Sequence, residues 1–271
     1  MTSIRIASAL IVIGAIVAII KNFGYSGITA TVFILSSIAL EEFGRMALAG
    51  AKYFYTRIYL IALGLISFAV SAYQNDLLVH VFVLSTLFIF IYFLLKAKDQ
   101  AIPLEELLNK TGLSLLGILY AGLCPVYICL LAKLSVGFEW FIFALVVVFS
   151  GDTMAYFVGR IFGRKKLFSR ISPNKSVEGS VGAIITSIAA GLAVRNFLLP
   201  HTDIILMILL CVTTSIISQF GDLCESMVKR SFNIKDSGHL MPGHGGVLDR
   251  IDGLMFGAPY IYVFAKFLVI K

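Results

Sequence analysis

Long apolar runs alternate with short polar segments along the chain, and the lengths of these runs predict its elements. A helix needs about 17 to 25 mostly apolar residues to cross a bilayer, and runs of that length recur throughout the chain. We predict nine such helices, at about residues 4–20, 25–41, 56–73, 78–95, 111–131, 138–158, 181–198, 203–221 and 253–270. The predicted fold is all-α, a polytopic integral membrane protein with about nine transmembrane helices.

Composition agrees with this pattern and divides the chain into two parts. Of the 271 residues, 59% are hydrophobic and 14% are charged, whereas a soluble domain carries about a quarter charged residues. We therefore predict a single membrane domain over residues 1–271. Polar features are sparse in residues 1–110 and concentrate in residues 111–271, so we expect the second part to carry the catalytic residues.

The lysines and arginines predict how the spans are oriented. With nine spans, 17 of the 22 basic residues fall on one side of the membrane and 5 on the other. Basic residues are enriched in cytoplasmic loops, so we expect a multi-pass protein of the cell's inner (plasma) membrane with its N-terminus and its site in the cytoplasm. Orientation and anionic lipid then explain the net charge of +7, and we expect no nucleic-acid partner.

One polar stretch, from Ser226 to Asp252, differs from the rest of the chain. It reads SMVKRSFNIKDSGHLMPGHGGVLDRID and gathers bases, acids and four glycines within 27 residues. Acids can bind metal ions, while basic side chains and the open backbone of glycine can bind phosphate. The stretch therefore predicts a site that holds a polyanion together with a metal ion.

Three acidic residues at the ends of the last two spans are the candidate metal ligands. Asp249 and Asp252 are three residues apart at the start of the ninth span, so a helix puts both carboxylates on one face. Asp222 ends the eighth span, where an acid is costly and is a functional candidate. Taken singly, Asp222 could be an interfacial acid, and the pair could be ordinary N-terminal acids of a helix. Together, the three acids predict a site for a hard divalent cation.

Glycines and basic residues on both sides of these acids predict phosphate contacts. The segment PGHGG, residues 242–246, precedes the acid pair, and its glycines let backbone N–H groups approach an anion closely. Upstream, SPNKSVEG at residues 172–179 is expected to form a turn that presents Lys175 beside the start of a helix.

These two regions resemble the signature of the phosphatidate cytidylyltransferases, also called CDP-diacylglycerol synthases. Residues 226–252 fit the pattern S-x-x-K-R-x4-K-D-x-small-x2-apolar-P-x-H-G-G-x2-D-R-x-D in register. Residues 152–182 resemble the family's D-T-x-A-Y-x-x-G-R stretch followed by S-P-x-K-T-x-E-G. The departures are Met241 for Leu, Ile or Phe, and Asn174, Ser176 and Val177 for Gly, Thr and an aromatic residue. The first four spans resemble the family only as hydrophobic helices.

The resemblance implies a membrane nucleotidyltransferase of phospholipid biosynthesis. Such an enzyme transfers CMP from CTP to phosphatidic acid and gives CDP-diacylglycerol and pyrophosphate, with Mg²⁺. The expected catalytic residues are Asp222, Asp249, Asp252, Lys229 and Arg230, the three acids binding one or two metal ions. The expected substrate-binding residues are Ser172, Lys175, Ser226, Lys235, Asp236, His244, Gly245, Gly246 and Arg250.

Two other classes of function stay open from the sequence. Another CTP-dependent lipid enzyme, such as a CDP-archaeol synthase or a polyprenol kinase, would use the same second half. A transporter would use Asp152 and Asp222 as an ion path and need not bind CTP, although the chain shows no matching halves. Gly253 and Gly257 could pack a helix within the chain or between the chains of a homodimer, and packing within the chain is favoured.

Overall fold

Helices make up most of the structure, a computed structural model that describes residues 2–238 and 245–269. The helices are α1 (Thr2–Ala47), α2 (Phe54–Tyr73), α3 (Leu78–Lys96), α4 (Leu104–Gly117), α5 (Val126–Ala132), α6 (Gly137–Phe162), α7 (Val177–Leu198), α8 (Ile204–Ser231) and α9 (Leu248–Phe264). Short 3₁₀ turns occupy Ala51–Tyr53 and Asn75–Leu77, and π-helical segments occupy Ile118–Leu123 and Ala265–Val269. Between α6 and α7, the strands β1 (Lys166–Phe168) and β2 (Ser172–Ser176) form an antiparallel pair.

Seven helical stretches among the described residues are long and apolar enough to cross a membrane. They are Lys21–Ala47, Ala51–Tyr73, Asn75–Lys96, Leu104–Ala132, Gly137–Phe162, Val177–Leu198 and Ile204–Ser231. These stretches confirm the prediction of an all-α polytopic membrane protein and coincide with seven of the predicted spans. The predicted count of nine is not confirmed.

The two predicted spans that are missing from this set lie at the ends of the chain. Residues 4–20 belong to α1, which is interrupted at Gly24, where φ is 53° and ψ is −130°. Glycine adopts this backbone conformation readily and other residues rarely do. The break lies between the predicted spans 4–20 and 25–41. At the other end, α9 has 17 residues, and a π-helical segment begins at Ala265.

The chain forms two compact units, the first from Met1–Cys129 and Asp236–Leu248, the second from Leu130–Lys235 and Asp249–Lys271. In the first unit, glycines allow α1 to pack closely. A Cβ at Gly64 would lie 2.8 Å from the side chain of Leu40, and one at Gly117 would lie 2.8 Å from the ring of Phe43. Leu40 and Phe43 are fully buried, so α1 is at the core of this unit. The single membrane domain over 1–271 stays a prediction.

The second unit is built from α6, α7, α8 and α9, and glycines set the position of α9. A Cβ at Gly253 would lie 3.3 Å from Val148 of α6, and one at Gly257 would lie 3.1 Å from the same residue. A Cβ at Gly221 of α8 would lie 2.7 Å from the carbonyl oxygen of Asp252. The small-xxx-small pair therefore packs within the chain, and the homodimer stays a prediction. The contact at Gly221 also brings Asp222 and Glu225 of α8 next to Asp252 of α9.

The β1–β2 hairpin of the second unit fixes the residues that lead into α7. Lys166 pairs with Ser176 and Phe168 pairs with Ser172. Ser176 caps α7, because its Oγ accepts a hydrogen bond from the N–H of Gly179 at 3.2 Å. The Glu178 carboxylate accepts hydrogen bonds from the N–H groups of Arg164 (3.0 Å) and Lys165 (3.2 Å). Lys175 thus lies on a strand held at both ends, where the sequence predicted a turn.

Candidate functional site

Three carboxylates meet in the second unit, where α8 and α9 pack together. Asp222 and Glu225 are three residues apart on α8, which places them on one face of that helix. Asp252 comes from α9, and one oxygen of each of the three carboxylates lies within 4.8 Å of the other two. Glu225 is 1% exposed and Asp252 is 8% exposed. A cluster of acids at this depth has little water to separate its charges.

The donor set of this cluster fits a hard divalent cation. Mg²⁺ and Ca²⁺ prefer oxygen ligands, and the carboxylates of Asp and Glu are ligands of this kind. Because three like charges repel one another, a cation among them offsets that repulsion. Asp222, Glu225 and Asp252 are therefore the residues that could hold a metal ion.

Two lysines supply the positive charge that this cluster lacks. Nζ of Lys175, on β2, lies 2.5 Å from a carboxylate oxygen of Asp222. Lys229, one turn beyond Glu225 on α8, forms ion pairs with both Glu225 and Asp249. The side chain of Lys229 is 11% exposed and that of Lys175 is 25% exposed. Both lysines therefore hold their charge beside the carboxylates and largely out of water.

Asp152 of α6 adds a further carboxylate to this part of the second unit. It interacts electrostatically with Asp222, Lys175 and Asp252. One of its oxygens would lie 3.4 Å from a Cβ at Gly253, which places it against α9. Five carboxylates and two lysines then leave an excess of three negative charges when all seven groups are ionised. A site of this charge favours cations, or an anion that arrives together with a metal ion.

The structure brings together six of the residues that we predicted for the site. They are Asp222, Asp249, Asp252, Lys229, Lys175 and Ser226. The hydroxyl of Ser226 donates a hydrogen bond to Asp222 at 3.4 Å. We predicted Asp249 as the third metal ligand, but its carboxylate pairs with Lys229, and Glu225 is the third member of the cluster. A metal-binding role for Asp249 stays a prediction.

Four other predicted residues of the second unit lie outside this group of contacts. Arg230 is exposed and donates hydrogen bonds to the carbonyl oxygens of Ile171 (3.3 Å) and Ile234 (3.1 Å), so it fastens the hairpin to the end of α8. Ser172 lies half-buried in β2, and Lys235 and Arg250 are exposed. Their predicted phosphate contacts stay predictions.

The remaining predicted residues belong to the first unit or lie outside the described residues. Asp236 is exposed, and Gly246 is buried against Glu42, where an added Cβ would lie 2.5 Å from a carboxylate oxygen. Gly245 has a φ of 79°, a backbone conformation that favours glycine. His244 lies outside the described residues. The role of the glycine segment in binding phosphate also stays a prediction.

Sequence reasoning missed Glu225, although a signal for it existed. In the segment GDLCESMVKR, Glu225 follows Asp222 at a spacing of three residues, which repeats the spacing of Asp249 and Asp252. Only the position of Asp252 of α9, within 4.8 Å, shows that Glu225 belongs to the cluster.

Comparisons with known proteins show the family to which the chain belongs. Residues 3–268 match the model of the cytidylyltransferase family. The chain is similar to proteins named phosphatidate cytidylyltransferase from Staphylococcus epidermidis (41% identity over 149 residues), Bacillus subtilis (37% over 155) and Brucella abortus (44% over 149). These matches cover 55%, 57% and 55% of this chain and 56%, 58% and 55% of the three relatives. The chain thus spans little more than half the length of the curated relatives that it matches. Because the family model covers nearly the whole chain, this membrane protein belongs to the cytidylyltransferase family.

Proposed function

We propose that the protein is a phosphatidate cytidylyltransferase, which transfers CMP from CTP to phosphatidic acid and releases pyrophosphate. The observation that carries this proposal is the buried cluster of Asp222, Glu225 and Asp252 with Lys175 and Lys229 beside it. Both substrates are anionic, and their reaction requires a site that offers metal ligands and cations within the membrane protein itself. The names of the three relatives give the same reaction.

The reaction needs positioning and charge neutralisation more than it needs a strong base. A phosphate oxygen of phosphatidic acid forms a bond to the α-phosphorus of CTP, and the bond from that phosphorus to pyrophosphate breaks. The second pKa of a phosphomonoester is about 6, so the attacking oxygen already carries charge at neutral pH. The chain therefore has to bring two anions together and stabilise the charge that develops on pyrophosphate.

In the proposed site, the acids would bind metal ions and the lysines would contact the phosphates. Asp222, Glu225 and Asp252 would hold one or two Mg²⁺ ions, which would supply neutralising charge to the phosphates. Lys175 and Lys229 lie beside these carboxylates and are placed to pair with phosphate oxygens. Asp249 holds the Lys229 side chain in place. The acyl chains of the lipid can stay in the bilayer, because Asp222 and Glu225 lie on α8, a helix long enough to span it.

The proposal includes a location and an orientation. The predicted split of 17 to 5 in basic residues supports an N-terminus and a site on the cytoplasmic side, where CTP and Mg²⁺ are available. The bacterial relatives favour the plasma membrane as the compartment.

The proposal is tested by pyrophosphate release from the purified protein in detergent. The reaction mixture contains phosphatidic acid, CTP and Mg²⁺, and the controls omit the lipid or contain EDTA. We expect release that needs all three components, with CDP-diacylglycerol appearing in equal amount by mass spectrometry. Binding of CTP without turnover on phosphatidic acid would point to another lipid acceptor, such as a polyprenol. Failure to bind CTP would refute the proposal.

Substitutions of the acids separate metal ligands from other roles. We expect Asp222→Asn and Asp252→Asn each to lower turnover at least about a hundredfold, because each removes a charge that acts on the reacting phosphates. Asp76→Asn is the matched control, since Asp76 is exposed in the first unit. Asp249→Asn should lower turnover and leave Mg²⁺ binding close to wild type. Wild-type turnover in Asp222→Asn or Asp252→Asn would contradict the assignment of these residues as metal ligands.

A further inference from the structure

In the first unit, the end of α1 and the start of α2 border a cavity that the carboxylate cluster does not use. Its volume is about 320 Å³, within the range of about 300 to 1,000 Å³ in which proteins bind small molecules. Six side chains line it: Glu41 and Arg45 of α1, and Phe54, Arg57, Ile58 and Ile61 of α2. The four residues of α2 follow the spacing i, i+3, i+4 and i+7, so they lie on one face of that helix.

The cavity lies where two candidate membrane spans, Lys21–Ala47 and Ala51–Tyr73, follow each other in the chain. Tyr53 comes directly before α2 and has three lysines around its ring. Each lysine Nζ lies 5.1 to 5.5 Å from the ring centroid, and the three are Lys52, Lys96 and Lys110. Tyrosine and lysine are typical of the level at which helices leave the hydrocarbon for the headgroups. This end of the first unit is therefore at the headgroup level.

The charges that line the cavity favour an anion. Arg45 and Glu41 form an ion pair, so these two charges offset each other. The guanidinium carbon of Arg57 lies 5.8 Å from the ring centroid of Phe54, and Arg57 has no carboxylate partner among the residues that the structure describes. The cavity thus carries one excess positive charge, and that charge is on Arg57. A guanidinium binds phosphate through two parallel hydrogen bonds.

The lining changes from polar to apolar along α2. The side chain of Arg57 is half-buried, and its Cγ would lie 3.7 Å from a Cβ at Gly44, so its stem lies against α1. Ile58 is exposed, and Ile61 lies further into the span, about 6 Å beyond Arg57 along the helix axis. A molecule with a phosphate at Arg57 and a hydrocarbon chain along the two isoleucines matches this order.

We propose that this cavity binds an anionic phospholipid of the surrounding bilayer. Arg57 pairs with the headgroup phosphate, and an acyl chain lies along Ile58 and Ile61. The distribution of basic residues predicts that this end of the first unit faces the cytoplasm, where the membrane surface is negative. Basic pockets between transmembrane helices on that side bind anionic headgroups. The lipid is a bound component of the first unit and not a reactant, so the site does not depend on the proposed function.

Binding of phosphatidylglycerol to the purified full chain, measured by native mass spectrometry from a neutral detergent, tests the site. We expect Arg57→Met to raise the Kd of the first bound lipid about tenfold, because it keeps the length of the side chain and removes the guanidinium. Lys98→Met is the matched control, since Lys98 is exposed just beyond the end of α3 and does not line the cavity. Equal effects of the two substitutions would overturn the proposal.

Glu41→Gln should change the Kd in the opposite direction, which covers the case in which Arg57→Met does not fold. Glu41 is partly exposed, and its replacement frees Arg45 from the ion pair. We expect the Kd for phosphatidylglycerol to fall about threefold, because a second arginine is then available to the phosphate. Glu105→Gln, which removes an exposed acid outside the cavity, is the control. An unchanged or higher Kd in Glu41→Gln would contradict the proposal.

Two further ligands identify what the cavity recognises. Phosphatidylcholine, whose choline group cancels the phosphate charge, should bind the wild type at least about fivefold more weakly than phosphatidylglycerol. Glycerol phosphate, which lacks acyl chains, should not displace phosphatidylglycerol even at about tenfold excess, because it cannot bury hydrocarbon along α2. Equal binding of phosphatidylcholine would show that the cavity does not recognise charge, and displacement by glycerol phosphate would show a site for soluble anions; either result refutes the proposal. No measurement here involves CTP, so a failure of the proposed function would leave these outcomes unchanged.

Discussion

Replacing Glu225 by Gln removes one negative charge from the carboxylate cluster with almost no change in shape. At 4.8 Å, the separation that bounds the cluster, two like charges repel by about 3.5 kcal/mol at an effective dielectric constant of about 20. Glu225→Gln therefore relieves about 7 kcal/mol or more of repulsion from Asp222 and Asp252. It also removes the attraction to Lys229, about 5.5 kcal/mol for a close pair at ~3 Å on the same scale. The relieved repulsion exceeds the lost attraction by about 1.5 kcal/mol or more, so we expect the variant without metal to be at least as stable as wild type.

The effect of Mg²⁺ on the variant should differ clearly from its effect on wild type. A ligand at one hundred times its Kd stabilises the folded state by about 2.7 kcal/mol, and one at its Kd by about 0.4 kcal/mol. If the loss of one carboxylate weakens Mg²⁺ binding about a hundredfold, the stabilisation falls from the first value to the second.

Thermal unfolding in detergent, with Mg²⁺ and with EDTA, measures this difference. We expect Mg²⁺ to raise the Tm of the wild type by several degrees and that of Glu225→Gln by about one degree at most. Glu105→Gln is the matched control, because Glu105 is exposed in the first turn of α4. If Mg²⁺ raises the Tm of Glu225→Gln as much as the Tm of wild type, Glu225 is not a metal ligand and the cluster has been assigned wrongly.

Two further substitutions test how the site is built. Lys175→Met should lower the rate of CDP-diacylglycerol formation at least about tenfold, because the charge beside Asp222 is lost. Lys165→Met, at an exposed lysine just before β1, should keep near-normal activity, and equal effects would contradict a specific role for Lys175. Gly221→Ala should destabilise the protein by about 1 to 3 kcal/mol and abolish the Mg²⁺-dependent rise in Tm, since its Cβ would lie 2.7 Å from the carbonyl oxygen of Asp252. Gly112→Ala, with open space around its Cβ, should leave both unchanged, and a harmless Gly221→Ala would show that α8 and α9 do not need this approach.

The fold was largely predictable because a membrane span is a continuous apolar run, which can be recognised in the local sequence. Seven predicted spans reappear as long apolar helices, since 20 apolar residues in sequence leave few alternatives to a helix in lipid. The ends of the chain were harder to predict. At the N-terminal end, the gap between the predicted spans 4–20 and 25–41 contains the break at Gly24. At the other end, hydropathy cannot register the change from α-helix to π-helix at Ala265.

The site was predictable where its residues are neighbours in sequence and was missed where packing assembles it. Asp222, Lys229 and Asp252 were found because an acid is costly at the end of a span and because acids and bases concentrate in residues 226–252. Glu225 is as close to Asp222 in sequence as Asp252 is to Asp249, but only the position of α9 shows that it is buried in the cluster. The carboxylate of Glu42 accepts hydrogen bonds from Ser237, Val247 and Leu248, which lie 195 to 206 residues further along the chain. No local sequence pattern connects Glu42 with these residues.

The double ion pair of Lys229 has a consequence for the order in which the protein matures. Because this lysine already attracts Glu225 and Asp249, part of the repulsion among the acids is offset by the chain's own charge. We therefore expect the second unit to insert into the membrane and fold before it acquires any metal ion. Under the proposed function, metal ions would then enter and leave during successive turnovers while the helices keep their places, and we expect magnesium depletion to stop the reaction without unfolding the protein.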